Sequence, residues 1–382
     1  MLKLNWENVT VMVVDDNSFM RNLIVTTLRT LGIAEVVALS SATAAIEALR
    51  MSRKNPVQAG IGTIDIVLSD FVMSQVDGAL FLRWIRTSRQ APDRFVPFLM
   101  VSGAADQDVV ESARDAGVTE FLAKPFSAKS IADRVLEVIK NPRQFVLAPG
   151  YFGPDRRRQD RLVDWGESYD DRSKLQTERR VTKASEIQVI HARSNIRTLR
   201  DDVRAIYFRP ANKLRDKLGP NALRGQIDFD PLVIQAAEER IQDMVGDYST
   251  WVRDYLESMS ASFQALREGT EESTRHVLNI NQIAHELRGQ GGIFDYPLIT
   301  AFGKTLYEAT IDTNARISAH RLELIEAHID AMRLVFTQRV RGHGGEVGAA
   351  LLKDIERAVK KYGESGQRTK APNPQSAPPE NR

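Results

Sequence analysis

The sequence contains no cysteine, which excludes a disulfide framework, a thiolate zinc site and a cysteine nucleophile. It also lacks an excess of either charge. The 52 Lys and Arg against 50 Asp and Glu leave a formal net charge of +2, so no bulk attraction to nucleic acid or membrane follows. No apolar run nears the roughly 18 residues that span a bilayer. The N-terminal MLKLNWENVTVMVVDD carries no basic segment leading to an apolar stretch and a small-residue cleavage site, so a cytoplasmic protein is expected. A short helix pair with a basic recognition face is missing too, and direct DNA binding is not expected. What is present is 382 residues, 42% hydrophobic and 27% charged, a length that exceeds one ordinary core and predicts two or three domains.

The chain is organised around Ile64 to Gly78, IDIVLSDFVMSQVDG, in which a largely apolar run delivers Asp70 at its end. Val9 to Val14 is an apolar, β-branched run, as in a strand covered on both faces. Ser18 to Leu31 then places Phe19, Leu23, Ile24, Leu28 and Leu31 at helical spacing, with Asn17 or Ser18 as cap and Gly32 as stop. The unit repeats. Strands are predicted over 33–39, 64–69, 96–101 and 118–122, and helices over 42–51, 79–87, 106–116 and 128–139. Five strands alternating with five helices imply an α/β fold, a doubly wound parallel sheet with helices on both faces.

In such sheets ligands gather at the carboxyl ends of the strands. Asp15 and Asp16, Asp70, Ser102 and Lys124 all fall at that edge. Carboxylates crowded there need compensation, which a Mg²⁺ ion supplies by accepting carboxylates, a backbone carbonyl and water. The metal and Lys124 then stabilise the oxygens of a phosphoryl group arriving at Asp70, with Ser102 donating to one of them.

These residues resemble a receiver domain of the two-component response regulators over residues 9–140. The matching positions are Asp15/Asp16, the phosphoacceptor Asp70, Ser102 with Gly103, and Lys124-Pro125. The resemblance implies a flavodoxin-like five-stranded sheet, an aromatic switch at Phe121 acting with Ser102, and a metal-binding carbonyl at Val72. It implies a sensor histidine kinase, or another phosphohistidine protein, as donor. Two departures stand out: Ser74 replaces the proline that often follows the methionine, and residues 52–63 form a longer loop than the family usually has.

The pattern breaks at Asn141-Pro142, which closes a first domain over 1–142. Residues 143–185 mix proline, glycine and charge and read as a flexible linker, with a basic spot at Gly153 to Arg158 that its acidic neighbours offset. From 186 to 362 the period is helical. Ile196, Leu199, Val203 and Ile206 form one stripe, and a longer one runs from Ile241 to Leu266. Further helices are predicted at 271–291, 297–310, 319–339 and 346–362, together a helical bundle. The proline-rich residues 363–382 are expected to be disordered.

In the bundle, Ile283 to Gly292 stands out. Helical geometry puts His285, Arg288, Gly289 and Gly292 on one face and turns Ala284 and Leu287 inward. A displayed imidazole beside a cation and bare backbone suits phosphoryl exchange with another protein's pocket. His285, Leu287 and Gly289 resemble the H-x-L-K-G motif of histidine phosphotransfer domains, with Arg288 in place of lysine. Phosphohistidine at His285, supported by Arg288 and Gly289, and possible exchange with other receiver domains are what the resemblance implies. The letters HELR also resemble a kinase H-box. No threonine-proline follows, and the remaining residues are too few and too poor in glycine for an ATP-binding domain, so an ATP-dependent kinase is not expected. His191, His276, His320, His328 and His343 read as structural or exposed. Two functions follow: a phosphorelay protein using Asp70 and His285, or an adaptor switched by Asp70 alone.

Overall fold

The computed structural model describes residues 4–55, 62–73, 76–103, 107–156, 187–190, 205–225, 227–269, 272–312 and 318–368. It divides into two compact units, Met1–Met244 and Val245–Arg382.

The first unit begins with the alternation read from sequence. Strands β1 (Thr10–Val14), β2 (Glu35–Leu39), β3 (Ile66–Asp70), β4 (Phe98–Ser102) and β5 (Glu120–Ala123) form a parallel sheet in the order β2-β1-β3-β4-β5. That is a flavodoxin-like order, with its switch point between β1 and β3. The intervening helices are α1 (Ser18–Thr30), α2 (Ala42–Lys54), α3 (Gly78–Thr87), α4 (Gln107–Ala116) and α5 (Ala128–Lys140). Short polar side chains fix where they start. Asn17 caps α1 by accepting from Met20 N at 3.0 Å, Asp77 caps α3 through Leu80 N at 2.7 Å, and Ser127 with Ser130 forms a reciprocal box on α5. β3 and β4 are buried along their whole length, as strands covered on both faces must be.

Beyond Pro142 the structure departs from the expected linker. Strands β6 (Phe145–Ala148), β7 (Tyr151–Pro154), β8 (Ile187–Ile190) and β9 (Ile206–Pro210) form an antiparallel sheet in the order β7-β6-β9-β8. Pro149 and Gly150, taken as linker punctuation, close a hairpin in which Gly150 adopts φ +77°. Phe95, Phe145, Phe152 and Phe208 pack with ring centroids 5.1 to 6.1 Å apart. Ile206 therefore belongs to a strand rather than a helical stripe. Its supposed companions Ile196, Leu199 and Val203 lie outside the described residues, as do 157–186 and the tail 369–382.

Residues 205–243 also return to the first sheet instead of joining the bundle. They carry the short helices α6 (Lys213–Lys217) and α7 (Pro220–Leu223) and the longer α8 (Pro231–Asp243), which packs on α1 and α5. Trp6 stacks on Phe229 at 4.1 Å, Lys217 Nζ meets the buried Asp65 carboxylate at 2.6 Å, and Asn212 Nδ2 donates to Ile139 O at 2.7 Å. The predicted edge at 142 thus falls inside the first unit, because these contacts join segments far apart in sequence.

The second unit is helical, as expected. α9 (Val245–Glu268), α10 (Ser273–Gln290), α11 (Pro297–Thr310) and α12 (Ala319–Thr337) pack in a closed ring of neighbours, and α13 (Gly345–Arg368) lies on α11 and α12. His328 is one of its internal ties. Nδ1 lies 2.7 Å from Leu324 O, an acceptor only, so Nδ1 carries the proton and Nε2 accepts from Thr305 Oγ1 at 2.7 Å. Burial holds this imidazole below its usual pKa of 6.5. The unfolded chain then binds the proton first, so the stability of this unit should fall as pH drops below 6.5. Urea denaturation between pH 5 and 7 should show that slope, flattened in His328→Gln. Among the described residues no helix is long and apolar enough to cross a membrane.

Candidate active site

The site is assembled from strand ends. β1 runs into Asp15 and Asp16, whose loop is tied down by three bonds: Asp15 N to Leu39 O at 3.2 Å, Asn17 N to Asp15 Oδ1 at 2.9 Å, and Arg21 Nη1 to Asp15 O at 2.6 Å. β3 ends on Asp70, whose Oδ1 accepts from Phe71 N at 2.9 Å and whose Oδ2 accepts from Lys124 Nζ at 3.1 Å. Lys124 follows β5 directly, before a cis Pro125, and its ammonium is also 3.9 Å from Asp15 Oδ2. Asp15 and Asp70 are each 1% exposed. Among the described residues, Asp15, Asp16 and Asp70 form a group whose ligand atoms lie within 4.8 Å of one another.

Burial pushes the Asp70 carboxyl above its ordinary range, and the adjacent Lys124 ammonium pulls the other way. Three carboxylates crowd around one buried ammonium. This donor set suits a hard divalent cation.

Register places the remaining predicted residues. Asp70 pairs with Val101, so Ser102, buried at the end of β4, stands one residue beyond it and opposite Ala123. Phe121 lies opposite Met100 and is half-buried against the core. Val72 is half-buried in the loop after β3; Ser74 lies outside the described residues. Two neighbours of the site were not read from sequence. Arg21 could not be told from a surface helix cation. Gly78 looked like a helix boundary, yet a β-carbon there would stand 2.2 Å from Asp70 O and 2.9 Å from Met100 Sδ.

The helical motif is placed differently from its expectation. His285 is 4% exposed and Arg288 5%, and Gly289 is buried with them, so this face is covered rather than displayed. The reason lies on α11. A β-carbon at Gly303 would come within 2.6 Å of Arg288 N and 2.9 Å of Ala284 O, so the missing side chain lets the two helices close up. The Tyr307 ring then sits 5.4 Å from the His285 ring, with the Arg288 guanidinium 5.6 Å from it.

Residues 11–136 match the family model of the response regulator receiver domain. This segment is a receiver domain. It is 28% identical over 130 residues to the chemotaxis protein CheY of Pseudomonas aeruginosa, an alignment covering 34% of this chain and 95% of that protein. Over 79 residues it is 38% identical to the sensor kinase CckA of Brucella abortus, covering 21% of this chain and 8% of the kinase. Among solved structures, CheY4 of Vibrio cholerae is 24% identical with a TM-score of 0.29, covering 34% of this chain and 98% of that one. The receiver domain of a Pseudomonas aeruginosa sensor histidine kinase, solved with magnesium in its active site cleft, is 26% identical with a TM-score of 0.28, covering 34% and 94%.

In this receiver Gly78→Ala should force Asp70 to move. The expected cost is about 1–3 kcal/mol of stability, the usual range for overpacking, read as a lower urea midpoint of the first unit.

Proposed function

We propose that the chain is a two-component signalling protein switched by phosphorylation of Asp70, with a sensor kinase's phosphohistidine, or that of a phosphotransfer protein, as donor. The observation that carries this reading is the Lys124 ammonium 3.1 Å from Asp70 Oδ2 inside a buried acidic cluster. An Asp70 carboxylate oxygen attacks the phosphorus of the donor phosphoimidazole. The O–P bond forms as the N–P bond breaks, and the imidazole nitrogen leaves with a proton taken from solvent. Lys124 and the Ser102 hydroxyl face the charge that collects on the phosphoryl oxygens. Asp15, Asp16, Asp70 and the Val72 carbonyl would hold Mg²⁺, which supplies charge neutralisation at those oxygens when bound. The product is an acyl phosphate, and its charge drives the switch through Ser102 and Phe121.

The helical unit is read as the output of this switch, docking other proteins. A relay through His285 draws support from the H-x-L-R-G spacing, whereas the burial of that imidazole, 4% exposed, favours the switch reading. Intact mass spectrometry after incubation with acetyl phosphate tests the central step. One phosphoryl addition is expected with Mg²⁺ and none with EDTA; equal incorporation in both would refute the site as drawn.

A further inference from the structure

The two halves of the phosphoacceptor site lead directly into the two helices that α8 covers. Asp15 and Asp16 precede α1, which starts at Ser18, and Lys124 precedes α5, which starts at Ala128. α8 packs on both, burying Ala237 and Ile241. Next to Ala237, the Glu238 carboxylate accepts a hydrogen bond from Ala128 N, the first amide of α5, at 2.7 Å. Ser127 and Ser130 hold adjacent groups of that turn, so Glu238 supplies the negative charge at the positive end of a helix 13 residues long. The α8 segment is anchored separately by Trp6 on Phe229 and Lys217 on Asp65. It ends at Asp243, and the chain resumes as α9 at Val245.

We propose that α8 reads the phosphorylation state of Asp70 through the grip of Glu238 on the start of α5. This rests on the phosphoacceptor reading above and adds the element that carries its signal. Two anions draw on one short stretch of chain: the Asp70 site through the Lys124 ammonium, and α8 through the Ala128 amide. Between them lie only Pro125, Phe126 and Ser127. A phosphoryl group on Asp70 adds negative charge beside Lys124 and pulls that side chain toward its own oxygens. Both effects weaken the Glu238 bond, by like-charge repulsion and by displacing the amide. Linkage makes the coupling reciprocal, so releasing Glu238 raises the affinity of the site for a phosphoryl mimic.

The test is hydrogen exchange on the full chain with Mg²⁺, with and without beryllium fluoride, the phosphoryl mimic for carboxylates. Beryllium fluoride should protect the β1–α1 and β3–α3 loops and speed exchange in α8 by about fivefold or more. In Glu238→Ala, and to a lesser degree in the milder Glu238→Gln, α8 should exchange fast from the start and beryllium fluoride should add little. Both variants should bind beryllium fluoride more tightly than the wild type. Site loops protected with α8 exchange unchanged in the wild type would overturn this inference while leaving the phosphoacceptor reading intact. Failure of beryllium fluoride to protect the loops at all would overturn both.

Discussion

Asp70→Asn should abolish phosphoryl incorporation, lowering its rate on the order of 10³-fold or more, the scale at which loss of a nucleophile is felt. The asparagine amide has the same shape, but its one oxygen can accept from only one of Phe71 N and Lys124 Nζ, which bond separate Asp70 oxygens, and it is a poor nucleophile that cannot form the acyl phosphate. His285→Ala should leave incorporation unchanged, since that ring lies buried against Tyr307. Lys124→Ala separates positioning from nucleophilicity. Asp70 would keep its carboxylate but lose the ammonium that opposes the burial effect on its pKa. Transfer should slow while the label stays on Asp70, as quantitative mass spectrometry of the three variants would show.

Arg86→Ala should destabilise the first unit by about 3 kcal/mol or more, because several buried polar groups lose their donor together. Arg86 is 1% exposed, and its fork donates to Gly117 O at 3.0 Å, Arg94 O at 2.7 Å, Val96 O at 2.8 Å and Thr119 Oγ1 at 3.3 Å. Burial pushes its pKa down to about 9, still well above neutrality, so the group remains charged at pH 7. Truncation leaves three carbonyls without this donor, each at a cost of about 1–3 kcal/mol before relaxation. It also removes the cation 5.2 Å from the Phe145 ring, which joins the parallel sheet to the second sheet. Arg86→Lys keeps the charge but not the planar fork and should recover only part of the loss. Urea denaturation monitored by hydrogen exchange of the β3 and β4 amides measures both, and a loss below about 1 kcal/mol for Arg86→Ala would contradict the role assigned to it.

The receiver half was legible because its signals are local. Hydrophobic runs ended on Asp15, Asp70, Ser102 and Lys124, and a parallel sheet with right-handed crossovers brings strand ends to one edge. The second sheet was not legible, because β6 and β9 pair across a long separation in sequence and Phe145 must find Phe208 before either reads as paired. Nothing in the sequence sets Arg86 and Glu238 apart from other charges at helical spacing. Only the fold reveals that one is enclosed by carbonyls and the other holds the first amide of α5. At His285 the helical phase grouped the imidazole with Arg288 and Gly289 and put them on a displayed face, but that face is covered. That is decided by Gly303 on the neighbouring helix.

The most direct test of the account is the linkage chemistry of the phosphoryl group on the full chain. After phosphorylation in Mg²⁺ by a histidine kinase or acetyl phosphate, the label should be lost in mild base or hydroxylamine, as from an acyl phosphate. It should map to the peptide holding Asp70 and vanish in Asp70→Asn. Label stable in base, lost in acid and mapped to His285 would contradict it.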